Sequence, residues 1–198
     1  MSKKFQVIVA DPPWSFSDSL KMSAVKRGAK SQYSTMTTSK IAEMPVQASC
    51  HPDGAVLCLW VPGSLLQEGL DVMKAWGFNH KQTYVWVKTK KRACDYPLHE
   101  CLSFGMGHTF RQTHEICLIG TNGKINKQLK NKSQRSVSFA ENLRHSSKPD
   151  HLQKSLETMF PKARKLELFA RRIRPGWTCL GNEICNGEDI YVSLSKLT

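Results

Sequence analysis

The sequence predicts an α/β fold, a mostly parallel sheet flanked by helices, in one domain spanning residues 1–198. Three observations predict it. The apolar run Phe5-Gln6-Val7-Ile8-Val9-Ala10 stops at Asp11-Pro12-Pro13-Trp14, as a buried strand does on leaving a sheet. Residues 54–61 form a near-continuous apolar run, followed by a helical pattern and another strand, which is the order of a β–α–β unit. A chain of 198 residues with 40% hydrophobic content is long enough to bury a substantial core as one unit.

The first strand ends in a turn suited to a particular chemistry. The two prolines forbid both helix and ladder pairing, so the chain leaves the sheet in a stiff, extended turn. A carboxylate, rigid carbonyls and a large aromatic are thereby set at the carboxyl end of a strand, where open α/β sheets bind ligands. An exocyclic amine on a base is a poor nucleophile because its lone pair is delocalised into the ring. The Asp11 carboxylate and the Pro12 carbonyl can accept its two N–H bonds and stabilise the positive charge that develops on attack. Pro12 and Pro13 bring no competing donor, and Trp14 offers a face for a flipped-out base. A plain Pro-Pro turn with a capping Asp and a core Trp is the structural alternative.

Residues 15–38 are polar, small and basic (Lys21, Lys26, Arg27, Lys30) and read as a long loop. Near its end Tyr33 can either close over a base bound at Asp11 or pack at the start of a short capped helix over 38–44. After the strand at 54–61, Pro62-Gly63 breaks the chain. Leu65, Leu66, Leu70, Val72, Met73 and Trp76 then recur at helical spacing up to the stop at Gly77. Residues 78–87 form the next strand, leading into Lys88.

Residues 89–111 are irregular, opening on Lys88, Lys90, Lys91 and Arg92 and closing on a glycine-rich stretch that makes no G-x-G-x-x-G phosphate loop. A strand is expected over 113–120. Residues 121–135 carry Lys124, Lys127, Lys130, Lys132 and Arg135 without an acid, as a solvated loop or a phosphate-contacting one. Pro149 opens a helix running to about Met159. Residues 165–172 read as a strand ending in basic residues, and 177–183 as a short apolar piece ending in Asn182 and Glu183. Lys148 can meet a carboxylate, and Asn182 and Glu183 can bind hydroxyls.

The formal charge of +13 points to a polyanionic partner, nucleic acid being the commonest. Seven scattered cysteines fit reduced thiols, and the spacings of Cys94, His99, Cys101, His108 and His114 match no standard metal-ligand pattern. The N-terminus leads straight into a strand, and no apolar run approaches membrane-spanning length. A soluble, cytoplasmic protein without a metal is expected.

Taken in order, seven pieces resemble the family of the catalytic subunit of the mRNA adenosine-N6 methyltransferase and its small bacterial and phage relatives. They are Ala10-Asp11-Pro12-Pro13-Trp14, Gln32-Tyr33-Ser34-Thr35-Met36, Leu59-Trp60-Val61, Trp86-Val87-Lys88, His114-Glu115-Ile116-Cys117-Leu118, His145-Ser146-Ser147-Lys148-Pro149, and the block from Leu166 to Glu183. The resemblance implies an S-adenosylmethionine-dependent amino-methyltransferase on a Rossmann-like sheet, its catalytic motif preceding its cofactor motif. It implies catalysis at Asp11, Pro12, Pro13 and Trp14, with Tyr33, Trp86, Lys88 and Glu115 around the acceptor adenosine. Lys148, Glu167, Phe169, Arg171, Asn182 and Glu183 would face the cofactor. Two departures stand out. Few residues precede Phe5, so either the hold on the cofactor's adenine passes to residues 184–188 or cofactor affinity is modest, and the run Ala170-Arg171-Arg172-Ile173-Arg174 is unusually basic, so that Arg172 or Arg174 is expected to point to nucleic acid.

The expectation is methyl transfer to the N6 amine of adenine, with DNA favoured because a compact chain resembles the bacterial and phage branch. The alternatives are an RNA adenosine acceptor, a non-catalytic nucleic-acid-binding subunit, and cytosine-N4 methylation. Residues 21–30, 88–92 and 121–135 are the candidates for phosphate contact. Family members often pair, so a homodimer or a heteromeric partner is compatible.

Overall fold

The structure, a computed structural model, describes residues 4–16, 35–92, 97, 100–107, 109–142, 147–184 and 189–197. Inside the sheet, β1 (Val7–Ala10) is flanked in parallel by β2 (Gly54–Val61) and β6 (Lys165–Leu168). The sheet continues outward through β4 (His114–Gly123) to β3 (Asn79–Thr89) and β5 (Val137–Glu141) on one side, and to β7 (Trp177–Leu180) on the other. The seven-stranded order is β5-β3-β4-β2-β1-β6-β7.

Period-two alternation sorts the strands' side chains onto two faces. One face buries Ile8, Leu57, Leu59 and Leu166 beneath α1 (Thr38–Ala42), α2 (Leu66–Ala75) and α4 (Ile190–Ser195), which contribute Ile41, Met73 and Leu194. The other buries Val9, Cys58, Trp86 and Cys117 beneath α3 (His151–Met159), through Leu152 and Leu156. Every residue of β2 is buried, as its unbroken apolar run requires. The α/β architecture is therefore Rossmann-like, with helices on both faces.

Several elements differ from the sequence expectation. β4 is antiparallel and inserts between β2 and β3, so the β2–α2–β3 unit joins strands that are not neighbours. β5 adds a parallel edge that its short, mixed stretch does not announce. β6 ends at Leu168 because Phe169 takes a left-handed φ of 59°, which no ladder accepts.

This topology gathers one rim. The carboxyl ends of β1, β2 and β6 lie side by side, and the antiparallel β4 brings its beginning there, with Val61 opposite Ile116. The end of β3 joins them through the pairing of Trp86 with Glu115.

Candidate active site

At that rim the chain leaves β1 through Asp11-Pro12-Pro13-Trp14. The Trp14 N–H donates to the Pro12 carbonyl at 2.9 Å, closing a three-residue turn that the fixed proline φ favours. The Met36 N–H donates to the Pro13 carbonyl at 2.8 Å, and the Trp14 indole N–H to the Trp60 carbonyl at 2.9 Å. The corner is thus bolted to the end of β2. A carbonyl has two lone pairs, so Pro12 keeps one acceptor position.

Alternation predicts which side chains meet here. Asp11, Trp60, Lys88 and Glu115 each lie two positions along a strand from Val9, Cys58, Trp86 and Cys117, all buried on the α3 face. They converge with Lys148, which precedes α3. The Lys148 ammonium lies 2.9 Å from each Asp11 carboxylate oxygen and 3.3 Å from Glu115 Oε2, while Lys88 Nζ lies 2.7 Å from Glu115 Oε1. Acid and base alternate along this chain, so each charge is neutralised by its neighbour. Lys148 also stands 5.4 Å from the centre of the Trp60 ring. Burial opposes the charge on Lys148, but Asp11 and Glu115 outweigh it and raise its pKa. Burial pushes the Glu115 carboxyl up; Lys148 and Lys88 outweigh that and hold it below the ordinary range.

Two crevices open on either side of this charge chain. One, of about 130 Å³, runs past Gln153, Glu167, Phe169 and Ala170. The second, of about 280 Å³, is bounded by Pro12, Pro13, Pro62, Lys88, Gln112 and Glu115. Asp11, Trp60, Lys148 and Arg171 line both. The wall of the first is strained: the positive φ of Phe169 costs about 1–3 kcal/mol. A Cβ on Gly181 would lie 2.2 Å from the Ala170 carbonyl oxygen, so only glycine lets β7 approach this turn.

Asp11, Pro12, Pro13, Trp14, Lys88, Glu115, Lys148, Glu167, Phe169 and Arg171 therefore all line the joined crevices. Trp86 does not. It is 1% exposed, its indole N–H donates to the Ala140 carbonyl at 3.1 Å, and it forms a floor beneath Lys88, 5.4 Å from that ammonium. Trp14 is 5% exposed and held by its indole bond, so it anchors the turn instead of offering an open ring face. Asn182 and Glu183 stand outside the described crevice linings. The Asn182 side-chain oxygen accepts from the Ile190 N–H at the start of α4, and Glu183 pairs with Arg171 at 3.6 Å. Tyr33 lies outside the described residues, as do 185–188 and the basic stretch 21–30.

Arg172 and Arg174 both pair with Asp150, and Arg174 also reaches Glu167 at 3.3 Å; the Arg174 side chain is 13% exposed and that of Arg172 61%. The basic run 121–135 starts at the far end of the sheet, where Gly123 pairs with Gly54, away from Asp11. Sequence reasoning assigned no role to Trp60, Gln112 or Gln153. Trp60 had a signal, since it closes a buried strand adjacent to the first, whereas Gln112 and Gln153 had none. Among the described residues no group of three or more His, Cys, Asp or Glu is placed to hold a metal ion, and no helix is long and apolar enough to cross a membrane.

Comparison with known proteins gives the same alignment. The family model MT-A70 matches residues 5–183. An Arabidopsis thaliana protein named N(6)-adenosine-methyltransferase MT-A70-like is 33% identical over 183 residues, 91% of this chain and 24% of that protein. The human N(6)-adenosine-methyltransferase catalytic subunit METTL3 is 31% identical, over 91% of this chain and 28% of its own length. A type II methyltransferase of Mycoplasma sp, M.MunI, is 28% identical over 92% of this chain and 78% of its own length. The chain thus spans about a quarter of the first two of these relatives.

Proposed function

Since the chain belongs to the MT-A70 family, we propose that it transfers a methyl group from S-adenosylmethionine to the exocyclic N6 amine of adenine in nucleic acid. The observation that carries this reading is the polar corner at Asp11 and Pro12, open to a crevice and joined through Lys148 to a second one.

The residues present suit both reactants. Lys148 and Arg171 supply positive charge for an amino-acid carboxylate, and Phe169 supplies an apolar wall beside them. The cofactor would bring an electrophilic methyl group on a sulfonium. Across the junction, Asp11 acts as acceptor for the amine. A carboxylate offers about four lone-pair sites, so the paired Lys148 leaves capacity on each oxygen. Accepting N–H bonds from the planar amine favours a tetrahedral nitrogen and stabilises the charge that develops on it. The remaining lone pair of Pro12 serves the second N–H. No general base is needed before attack, because the proton becomes acidic only afterwards. Gln112 and Pro62 form the crevice wall against which the base would rest.

DNA is the acceptor favoured here, with the type II methyltransferase among the relatives as its support, and the N(6)-adenosine-methyltransferases among them make RNA the second reading. An adenine in a duplex must be extruded to reach the corner. A partner, as a homodimer or with another chain, belongs to the same reading, since the human relative is named a catalytic subunit.

The test is tritium transfer from labelled S-adenosylmethionine to matched DNA and RNA oligonucleotides, with mass spectrometry of the released nucleosides. N6-methyldeoxyadenosine is the expected product. Label in RNA alone moves the acceptor to RNA, and label in N4-methylcytosine overturns the base assignment. Cofactor binding by calorimetry without transfer to any nucleic acid identifies a non-catalytic subunit.

A further inference from the structure

On the α3 face, toward the end of the sheet away from Asp11, the chain leaves a cavity of about 480 Å³. The sheet forms its floor through Val56, Cys58 and Tyr84, and α3 forms one wall through Leu152 and Leu156, all 5% exposed or less. Residues 121–135 form the other wall with Ile125 and Leu129. Backbone bonds pin that segment at three points and hold it off the sheet. The Lys124 N–H donates to the Asp53 carbonyl at 2.7 Å, the Lys130 N–H to the Met159 carbonyl at 2.8 Å, and the Ser136 carbonyl accepts from the Val85 N–H at 2.8 Å. Protein interiors hold few voids larger than a water molecule, and an unfilled apolar one costs stability. A space of this size matches a small-molecule site.

The mouth of the cavity is cationic. Lys81, Lys124 and Arg135 line it and are exposed, and no Asp or Glu is among the lining residues. None of the three is in an ion pair among the described residues. Lys81 reaches the mouth through a β-bulge. His80 pairs with Gly120 and Gln82 with Ile119, which leaves Lys81 as the extra residue and sets Lys81 and Gln82 along the same cavity. Strict alternation would send one of these two consecutive side chains to the opposite face.

We propose that this cavity is a binding site for an amphipathic anion, a small molecule with an apolar body and one acidic head group. The body occupies the space between Val56, Tyr84, Leu152 and Leu156, and the head group meets Lys81, Lys124 and Arg135. The Arg135 guanidinium presents a planar fork that suits a carboxylate or a phosphate. A neutral apolar molecule would leave the three cations without a counter-charge, and a hydrophilic anion would leave the apolar walls uncovered. The cavity shares no lining residue with either crevice beside Asp11, so its ligand is distinct from both proposed reactants.

The test is calorimetry of the full chain with octanoate, octyl phosphate and octan-1-ol, repeated with saturating S-adenosylhomocysteine. One molecule of octanoate or octyl phosphate should bind per chain, the tighter of the two naming the head group. Loss of a hydrogen bond to a charged group costs about tenfold or more, so octan-1-ol should bind at least that much more weakly. The Lys81→Gln/Lys124→Gln/Arg135→Gln variant should lose about tenfold or more in affinity for the anion and keep its affinity for octan-1-ol. Ser155→Phe, which adds a ring from the α3 wall, should weaken binding of all three. The triple variant changes only exposed side chains, so it carries the test if Ser155→Phe fails to fold. S-adenosylhomocysteine should leave each affinity unchanged. Displacement of the anion by S-adenosylhomocysteine places it at Lys148 or Arg171 and overturns the cavity site. Octan-1-ol bound as tightly as the anions overturns the acidic head group. No saturable binding of any probe, or anion affinity unchanged in the variants that fold, overturns the proposal.

Discussion

The Lys148 ammonium lies 2.9 Å from both carboxylate oxygens of Asp11, across 137 positions of chain. This contact joins the two crevices into one site, because the residue proposed to face the acceptor amine is held by the residue proposed to meet a cofactor carboxylate. Whatever draws Lys148 toward the first crevice frees Asp11 in the second.

Asp11→Ala should lower kcat by about a hundredfold or more, the scale for removing a group that meets charge developing in the transition state. Affinity for S-adenosylhomocysteine by calorimetry should stay within a few-fold of the parent's. Persisting turnover would remove Asp11 from the catalytic role.

Lys148→Met should weaken S-adenosylhomocysteine binding by about tenfold or more and lower the melting temperature, because it leaves Asp11 and Glu115 facing each other without their shared cation. Lys148→Arg keeps the charge and should restore the melting temperature more fully than the affinity. Equal affinities in all three proteins would place the cofactor carboxylate elsewhere.

The Glu115 carboxylate, held below its ordinary range despite burial, gives a stability term with a defined sign. A depressed folded-state pKa contributes stability above the unfolded value and loses it as pH falls through the folded one. Glu115→Gln should therefore destabilise the protein by about 1–3 kcal/mol at neutral pH. Urea denaturation over a pH series should show that difference shrinking on acidification below the ordinary glutamate range. A constant difference would mean that packing, not charge, sets the effect. Lys148 has a raised pKa and behaves oppositely: its contribution is complete below the ordinary lysine range and fades only as pH rises through its higher folded value.

Replacing Lys90, Lys91 and Arg92 by Ala should reduce the slope of log affinity against log salt by about two to three, one counterion-release unit per phosphate contact. Replacing Lys124, Lys127 and Lys130 should leave that slope nearly unchanged, since their run starts at the opposite end of the sheet from Asp11. The reverse pattern would move the nucleic-acid track to that end.

Gly181→Ala should cost about 1–3 kcal/mol, as a Cβ there meets the Ala170 backbone and forces the strained turn at Phe169 to move. An unchanged urea midpoint would show that the turn yields freely.

The sequence by itself determined the strand ending at Asp11, the stiffness of the Pro12-Pro13 corner, the fully buried β2 and the helix following it. Steric limits on proline and the period of apolar residues act within a few positions, so a short window contains them. Within each strand, alternation also put Asp11 in step with Val9, Lys88 with Trp86 and Glu115 with Cys117. Only the tertiary structure decided that β4 enters antiparallel between β2 and β3, bringing Glu115 to Lys88 and both to Lys148. Only it decided that Trp86 turns into the core and that Arg172 and Arg174 share Asp150 as a partner. Strand order and register set those pairings between segments distant in the chain, and no local preference of the backbone contains them.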